Sequence, residues 1–473
     1  MRNKLQATIA AVLLIAAAGC ATYPVNPRLS QYNPKTGYRY ENLKGPENSE
    51  SLFVILTFSG GGTRAAALSY GVMERLRDTK IQWDGRERRL LDEIDVISSV
   101  SGGSFTAAYY GLFREELFDP EKFEKVFLYR NIQGELVASL FNPVNWVRLA
   151  SPSYGRIEVA SELYDREIFR EKTFADLIDQ ARRPYIMLNA TDLTMGARFT
   201  FVQDQFDLIC SDLGGVHVSR AVAASSNFPI AFTPLVVNNY AGSCNYQAPI
   251  WMEQASKDLL VNPPRLNRAR IARSYLNSEE RKYVHLLDGG VSDNIGLRGQ
   301  LLAIRSNDLS WSLVNKINLK EIKKLVVVVV DARTDPKTDI DKSTSSPGLT
   351  TLIDIISSVP MSNYSFDTVQ QLLDEFNSWR KDDAAYAQCR SLLKDKCGAE
   401  MDTKPPNMAE TFAIYVGFDQ IKDPKERQDF LDLPTTFALP KEEVDKLRKI
   451  GPRILDESAG YRKLCDEFKC QVK

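Results

Sequence analysis

Ser101 stands in the run Ile97-Ser-Ser-Val-Ser-Gly-Gly-Ser-Phe105, between a short apolar stretch (Ile94, Val96, Ile97) and a small-residue helical segment reaching Phe113. Strand, tight turn and helix with a serine at the apex expose a nucleophilic hydroxyl. The usual elbow, Gly-x-Ser-x-Gly, here reads Ser99-Val100-Ser101-Gly102-Gly103. Ser99 replaces the first glycine, while Gly102 and Gly103 let the strand and helix backbones approach. Ser98, Ser99 and Ser104 are rival hydroxyls, but only Ser101 lies between the strand end and the glycine pair. A serine hydroxyl needs a base. Asp288, in Leu286-Leu287-Asp288-Gly289-Gly290, is delivered by an apolar strand to a turn where two glycines release the chain. A carboxylate there can take a serine proton, and partial burial would raise its pKa and its basicity. A third segment, Gly60-Gly61-Gly62-Thr63-Arg64, follows an apolar strand and opens a helix. Its N–H groups at a helix N-terminus suit a phosphate or the oxyanion of a tetrahedral intermediate. Taken singly, each segment has a plainer reading: a serine-rich loop, an Asp-Gly turn, a glycine-rich turn.

The chain has only two histidines, His217 and His285. A Ser-His-Asp triad needs an imidazole that reaches both partners. His285 lies three residues before Asp288 in a strand, so alternation points the two side chains to opposite faces. A serine–aspartate pair is the simplest scheme; a triad through His217 stays open, as do packing or surface roles for both histidines. The glycine segment is not a Walker loop, because no Gly-Lys-Ser/Thr follows, and it fits a dinucleotide fingerprint poorly, because Ala65 stands where the third glycine belongs.

These residues need a scaffold that carries turns to one edge. Leu52–Phe58, Tyr185–Ala190, Tyr283–Leu287 and the Val-rich run Leu325–Val330 read as buried strands, with helices between them. The alternation predicts an α/β fold with a largely parallel sheet. Residues 115–182 are helical in pattern and form either a cap over the site or ordinary layer helices. A polar loop over 336–350 precedes a helix to about Lys394, a strand over Thr411–Phe418 and a charged helix over Lys441–Lys449.

Lys+Arg 60 against Asp+Glu 61 leaves no field favouring nucleic acid, and a 44% apolar, 26% charged composition is that of a globular protein. At the N-terminus, Arg2 and Lys4 precede an apolar run, Ile9 to Ala18, too short for a comfortable membrane span. The ending Ala-Ala-Gly-Cys20 resembles a bacterial lipobox, although Ala17 stands where that pattern most often has Leu. The resemblance implies removal of residues 1–19, lipid attachment at Cys20 and, with Ala21 rather than Asp following, an outer-membrane lipoprotein. The alternative is a plain signal peptide with an incidental cysteine. Residues 20–50 then read as a surface tether, rich in Pro, Asn, Tyr and Lys. Six further cysteines in an exported chain favour disulfides over zinc. Their spacing makes Cys389–Cys397 and Cys465–Cys470 plausible and leaves Cys210–Cys244, though fifteen connectivities are formally open.

Together the glycine triplet with Arg64, the serine elbow and Asp288-Gly289-Gly290 resemble, in this order, the patatin-like phospholipases. Ala224-Ser-Ser-Asn-Phe-Pro229-Ile-Ala-Phe-Thr-Pro234 matches that family's Ala-Ser…Pro…Pro block, and Asn189-Ala-Thr-Asp192 with Gly196 matches the strand before it. The resemblance spans about residues 52–333 and implies a three-layer α/β fold with a mostly parallel central sheet flanked by helices. It implies a catalytic domain over 51–335; residues 336–473 match no motif of the family and read as an extension packed on the same core. It also implies a lipid acyl hydrolase with Ser101 as nucleophile, Asp288 as base and an oxyanion hole around Gly60, Gly61, Gly62 and Arg64. Arg64 would steady that loop or meet a lipid phosphate. No cofactor or metal is implied. The expected partners are a phospholipid or lysophospholipid substrate and a membrane surface reached through the anchor. An acyltransferase and an inactive lipid- or partner-binding lipoprotein are the other readings.

Overall fold

A computed structural model describes residues 22–43, 48–228, 232–305, 321–335, 338–342, 344–346, 348–398 and 409–472. The expected signal segment, Cys20 and Pro229 lie outside the described residues.

Strand β1 (Leu52–Phe58) is followed by helix α1 (Gly62–Asp78), a charged hairpin of β2 (Thr79–Trp83) and β3 (Arg86–Arg89), β4 (Ile94–Val100) and α2 (Gly102–Phe113). A helical insertion contains α3 (Ile132–Leu140), α4 (Pro143–Leu149) and α5 (Arg156–Tyr164). Next come β5 (Tyr185–Asp192), β6 (Ala197–Thr200), α6 (Val218–Ser225), β7 (Leu235–Asn238), α7 (Pro263–Tyr275) and β8 (Tyr283–Asp288). The C-terminal part holds β9 (Lys324–Asp331), the long α8 (Leu349–Cys397), β10 (Glu410–Gly417), α9 (Lys441–Glu457), α10 (Ala459–Phe468) and β11 (Gln471–Val472).

The main sheet has the order β10-β9-β1-β4-β5-β8-β7, with β6 paired to β5. β10, β9, β1, β4 and β5 run parallel; β8 and β7 continue the sheet antiparallel. The fold is therefore α/β with a mostly parallel central sheet flanked by helices. β1 and β4 are buried along their whole length, and so are residues Leu325 to Asp331 of β9. Strands covered on both faces need continuous apolar sequence, which the Val run supplies. Because β1 and β4 are parallel neighbours, their C-terminal turns emerge side by side at one edge. β10 extends the sheet beyond β9, and α9 packs against α1, so the C-terminal residues share the core of the rest.

The segment expected as a tether is built into the domain from residue 22 to 43. Tyr38 and Tyr40 are buried, and Arg39 pairs with Asp204 (3.0 Å) and Asp207 (2.6 Å). Its Tyr residues carry apolar rings into the core, a signal that composition alone reads as polar. Part of the 115–182 insertion is layer structure: Phe105 of α2 stacks on Phe127 at 4.2 Å and meets Tyr164 and Phe169. α3 and α4 instead project with exposed apolar side chains.

The disulfides are Cys210–Cys244 and Cys465–Cys470; Cys389 and Cys397 are free and exposed. The expected Cys389–Cys397 pair fails because both lie on α8. Eight residues of helix separate their Cα atoms by about 12 Å, beyond disulfide reach.

Candidate active site

Ser101 has φ 49° and ψ −120°, a conformation sparsely populated by residues with a side chain. The turn is tight because α2 leaves β4 directly under the glycine loop. A Cβ on Gly102 would sit 1.9 Å from the Gly62 carbonyl oxygen, so no other residue fits there. At Gly103 a Cβ would meet Phe58 Cβ at 2.6 Å. Ser98, Ser99 and Ser104 are fully buried, whereas Ser101 keeps 7% exposure at the turn.

The serine at position 99 has a structural account. Its hydroxyl accepts a hydrogen bond from Ser104 (3.2 Å), whose oxygen is 2.9 Å from Ser225 Oγ. Ser225 accepts the Ser101 backbone N–H (2.9 Å) and donates to the Asn189 carbonyl (2.7 Å). Ser99 thus belongs to a hydroxyl cluster beneath the turn, where a glycine would leave Ser104 with one acceptor fewer. Ser98 is occupied elsewhere, donating to the Gly296 carbonyl at 2.6 Å.

Strand register brings Asp288 to the same level. Val100 pairs with Asn189 across β4 and β5, and Ala190 pairs with Asp288 across β5 and β8. Its neighbour Gly289 has its N–H bonded to the Ser225 carbonyl (3.1 Å). Asp288 is buried; its Oδ1 accepts the Gly290 N–H at 2.8 Å, and the nearby Ser101 side chain favours its charged form. Burial pushes its pKa up to about 7, against the opposing pull of the Gly290 N–H and the Ser101 side chain. Neither imidazole bonds to Ser101 or Asp288 among the described residues. His217 Nδ1 lies 3.0 Å from the Asp165 carboxylate, and His285 is exposed at a separate pocket of about 680 Å³.

The glycine loop lies against the serine: a Cβ on Gly60 would be 3.3 Å from Ser101 Cβ. The Gly60 N–H, however, is committed to the Asn294 carbonyl (2.9 Å), and the Thr63 N–H to the Thr436 carbonyl (2.9 Å). Gly60 therefore shapes the loop and offers no donor to an oxyanion. The N–H groups of Gly61 and Gly62, at the start of α1, have no backbone acceptor among the described residues. Gly62 has φ +60°, and a Cβ there would strike the Thr436 carbonyl at 2.4 Å. Glycine is needed on both counts.

Arg64 does not face the site, contrary to its expected place in the oxyanion hole or at a lipid phosphate. It is buried, and its guanidinium donates to the Ala332 carbonyl (2.9 Å), the Leu433 carbonyl (2.6 Å) and Thr435 Oγ1 (3.1 Å). Burial draws its pKa down to about 10. Its role is to bind the segment 433–437 over the loop, the steadying role in its strongest form. That segment reaches on to the insertion: Phe437 packs on Phe105 at 5.4 Å, and the Gln133 N–H donates to the Phe437 carbonyl at 3.2 Å.

The segment 433–437, Asn294 and Ser225 went unrecognised as site-building residues in the sequence. Ser225 lies within the Ala-Ser block and Asn294 four residues after the Asp288-Gly289-Gly290 turn, but neither carried an assigned role; the C-terminal segment has no local signal. Asn227, in the Ala-Ser-Ser-Asn block, accepts the Asp288 N–H at 3.0 Å and donates to the Leu286 carbonyl at 3.1 Å. Among the described residues no group of three or more His, Cys, Asp or Glu could hold a metal, and no helix is long and apolar enough to cross a membrane.

A strained serine turn, a buried carboxylate on the neighbouring turn and a glycine-rich helix start on an α/β sheet define a hydrolase-like site. The family model of the patatin-like phospholipases matches residues 56–299, and the chain belongs to that family. Among solved structures, human GIVD cytosolic phospholipase A2 in complex with methyl gamma-linolenyl fluorophosphonate is similar at 11% identity, covering 89% of this chain and 59% of that one, with a TM-score of 0.39. VipD from Legionella pneumophila is similar at 11% identity, covering 95% and 72%, with a TM-score of 0.32. In another structure of the human protein the alignment spans 47% of that chain, about half its length. No curated protein matches the chain.

Proposed function

We propose that the chain is a lipid acyl hydrolase of phospholipase A or lysophospholipase type, cleaving carboxylic esters through a Ser101–Asp288 dyad. One observation carries this reading: Ser225 ties the serine turn to the aspartate turn, accepting the Ser101 N–H at its hydroxyl and the Gly289 N–H at its carbonyl, beside a buried Asp288 whose pKa is lifted to about 7. Ser101 Oγ attacks the ester carbonyl carbon while its proton passes to Asp288. The N–H groups of Gly61 and Gly62 receive the oxyanion at the helix start, where dipole and donors favour negative charge. Collapse of the intermediate expels the alcohol, which takes the proton from Asp288. Water then attacks the acyl-serine, again giving a proton to Asp288, and the fatty acid leaves as Ser101 regains its hydrogen. We place the chain at the outer membrane of a bacterium, on the periplasmic side, lipid-anchored through Cys20. An anchored enzyme stays at the surface that presents its substrate.

Turnover of phospholipids, lysophospholipids and short-chain esters by the full chain tests the proposal. Free fatty acid release that disappears in Ser101→Ala is expected. Acyl transfer to an acceptor lipid in place of water, or turnover that survives Ser101→Ala, contradicts it.

A further inference from the structure

The described chain emerges beside the helical pair α3–α4. The Tyr23 N–H donates to the Ser153 carbonyl (2.7 Å), and its hydroxyl donates to Asn238 Oδ1 (2.6 Å). Ser153 follows α4 by a single short turn. Cys20 precedes Tyr23 by three residues, an extended reach of about 10 Å.

On this pair Val137, Phe141, Val144 and Trp146 are 49%, 70%, 65% and 57% exposed, and Val25 on the emerging chain is 55% exposed. No charged residue occurs from Leu136 to Val147. The backbone polar groups at the turn are provided for internally: Asn131 and Asn142 cap the two helices, and Pro143 fills the first helical position of α4. The Trp146 indole N–H donates to the Leu140 carbonyl, so the exposed part of the ring is apolar. Several large apolar side chains exposed together on one helical pair are uncommon on a domain facing only water. At its other end α3 starts beside the site, where Gln133 contacts Thr436 and Phe437 of the segment closing the glycine loop.

We propose that the α3–α4 face, with Val137, Phe141, Val144 and Trp146, enters the interface of a phospholipid bilayer. The inference rests on the reading of Cys20 as lipid-bearing and of membrane lipid as substrate. The place where the chain leaves the domain selects the bilayer over a second copy or a protein partner. An anchor on Cys20, no more than about 10 Å of extended chain from Tyr23, would hold this face rather than a remote one against the membrane. An apolar helical face lying in the headgroup region adds to the hold of the acyl anchor. It also turns the Gln133 end of α3, and with it the segment over Gly61 and Gly62, toward the lipid.

Full-length protein reconstituted in vesicles of phosphatidylethanolamine and phosphatidylglycerol with brominated acyl chains tests this through tryptophan fluorescence. Quenching is expected in the wild type, with most of it lost in Trp146→Phe. Phe141→Ser with Val144→Ser should depress vesicle phospholipid turnover roughly tenfold more than turnover of a soluble short-chain ester. The matching change at the other exposed apolar run, Leu259→Ser with Leu260→Ser, should not separate the two substrates. Quenching that survives Trp146→Phe, its absence in wild type, or a dimer that shields Trp146 overturns the proposal. If wild type turns over no ester, the hydrolase reading fails while the quenching still decides the face. If Cys20→Ser binds vesicles as before, the anchor reading fails and the face stands on its quenching alone.

Discussion

At the residue scale, burial and hydrogen bonding compete at Asp288, and burial wins. With its pKa held at about 7, the carboxylate changes protonation in the neutral range. Only the ionised form accepts the serine proton, so kcat/KM should rise with pH and level off above about 7; a profile flat from acid to alkaline pH contradicts the assignment. The same shift has a stability consequence of definite sign. Between the unfolded value near 4 and the folded value near 7, the folded chain holds a proton that the unfolded chain releases. This group's contribution is therefore fully present below pH 4 and is lost as pH rises through 7. Asp288→Asn should raise Tm over wild type at pH 8, by at most about 4 kcal/mol of stability, and change little at pH 4. Thermal melts at the two pH values check it. Ser101, Asp288 and the glycine triplet were legible in the sequence because each sits in a local pattern whose turn chemistry is written beside it. Ser99 was not, because its hydroxyl partner Ser104 is itself tied to Ser225 of α6, far along the chain. Gly60 was misassigned because its N–H acceptor, the Asn294 carbonyl, lies far along the chain.

At the scale of elements, the site is a product of register. Parallel β1 and β4 bring the glycine loop and the serine turn to one edge, and antiparallel β8 returns Asp288 to that level across β5. The principal strands could be read from apolar runs. The short β6 and β7 and the charged β2–β3 hairpin could not, since they carry too little period or apolar character. Arg64 gives the clearest lesson: its acceptor at Leu433 is 369 residues away, which no local pattern encodes. Arg64→Lys replaces a planar fork by a single ammonium that cannot serve two carbonyls and a hydroxyl together. Leaving buried carbonyls unpaired should cost about 1–3 kcal/mol each, seen as a lower Tm. Turnover should fall with it, because the segment 433–437 would loosen over Gly62. Unchanged Tm and turnover would show that the clamp is dispensable.

At the scale of the whole molecule, the family match ends at residue 299, yet the sheet continues through β9 and β10 and the closing segment comes from residues 433–437. The N-terminal residues 22–43 are likewise bound to the domain, with Arg28 bridged to Ser211 and Leu29 bonded to Cys210. Cys210–Cys244 fastens that region across a sequence separation of 34, whereas Cys465–Cys470 spans only 5. Loop-closure entropy then ranks them: replacing the first pair by alanine should cost about 3–4 kcal/mol and the second about 2 kcal/mol. Urea unfolding of the two double variants checks the order, and a reversed order contradicts the account.

The central claim is that Ser101, activated by Asp288 without histidine, is the nucleophile. Fluorophosphonate labelling of the full chain, with the modified residue located by peptide mass spectrometry, tests it most directly. The account predicts one adduct per chain, on Ser101, lost in Asp288→Asn and retained in His217→Ala and His285→Ala. An adduct on another serine, no adduct on wild type, or a label that needs either histidine would contradict it.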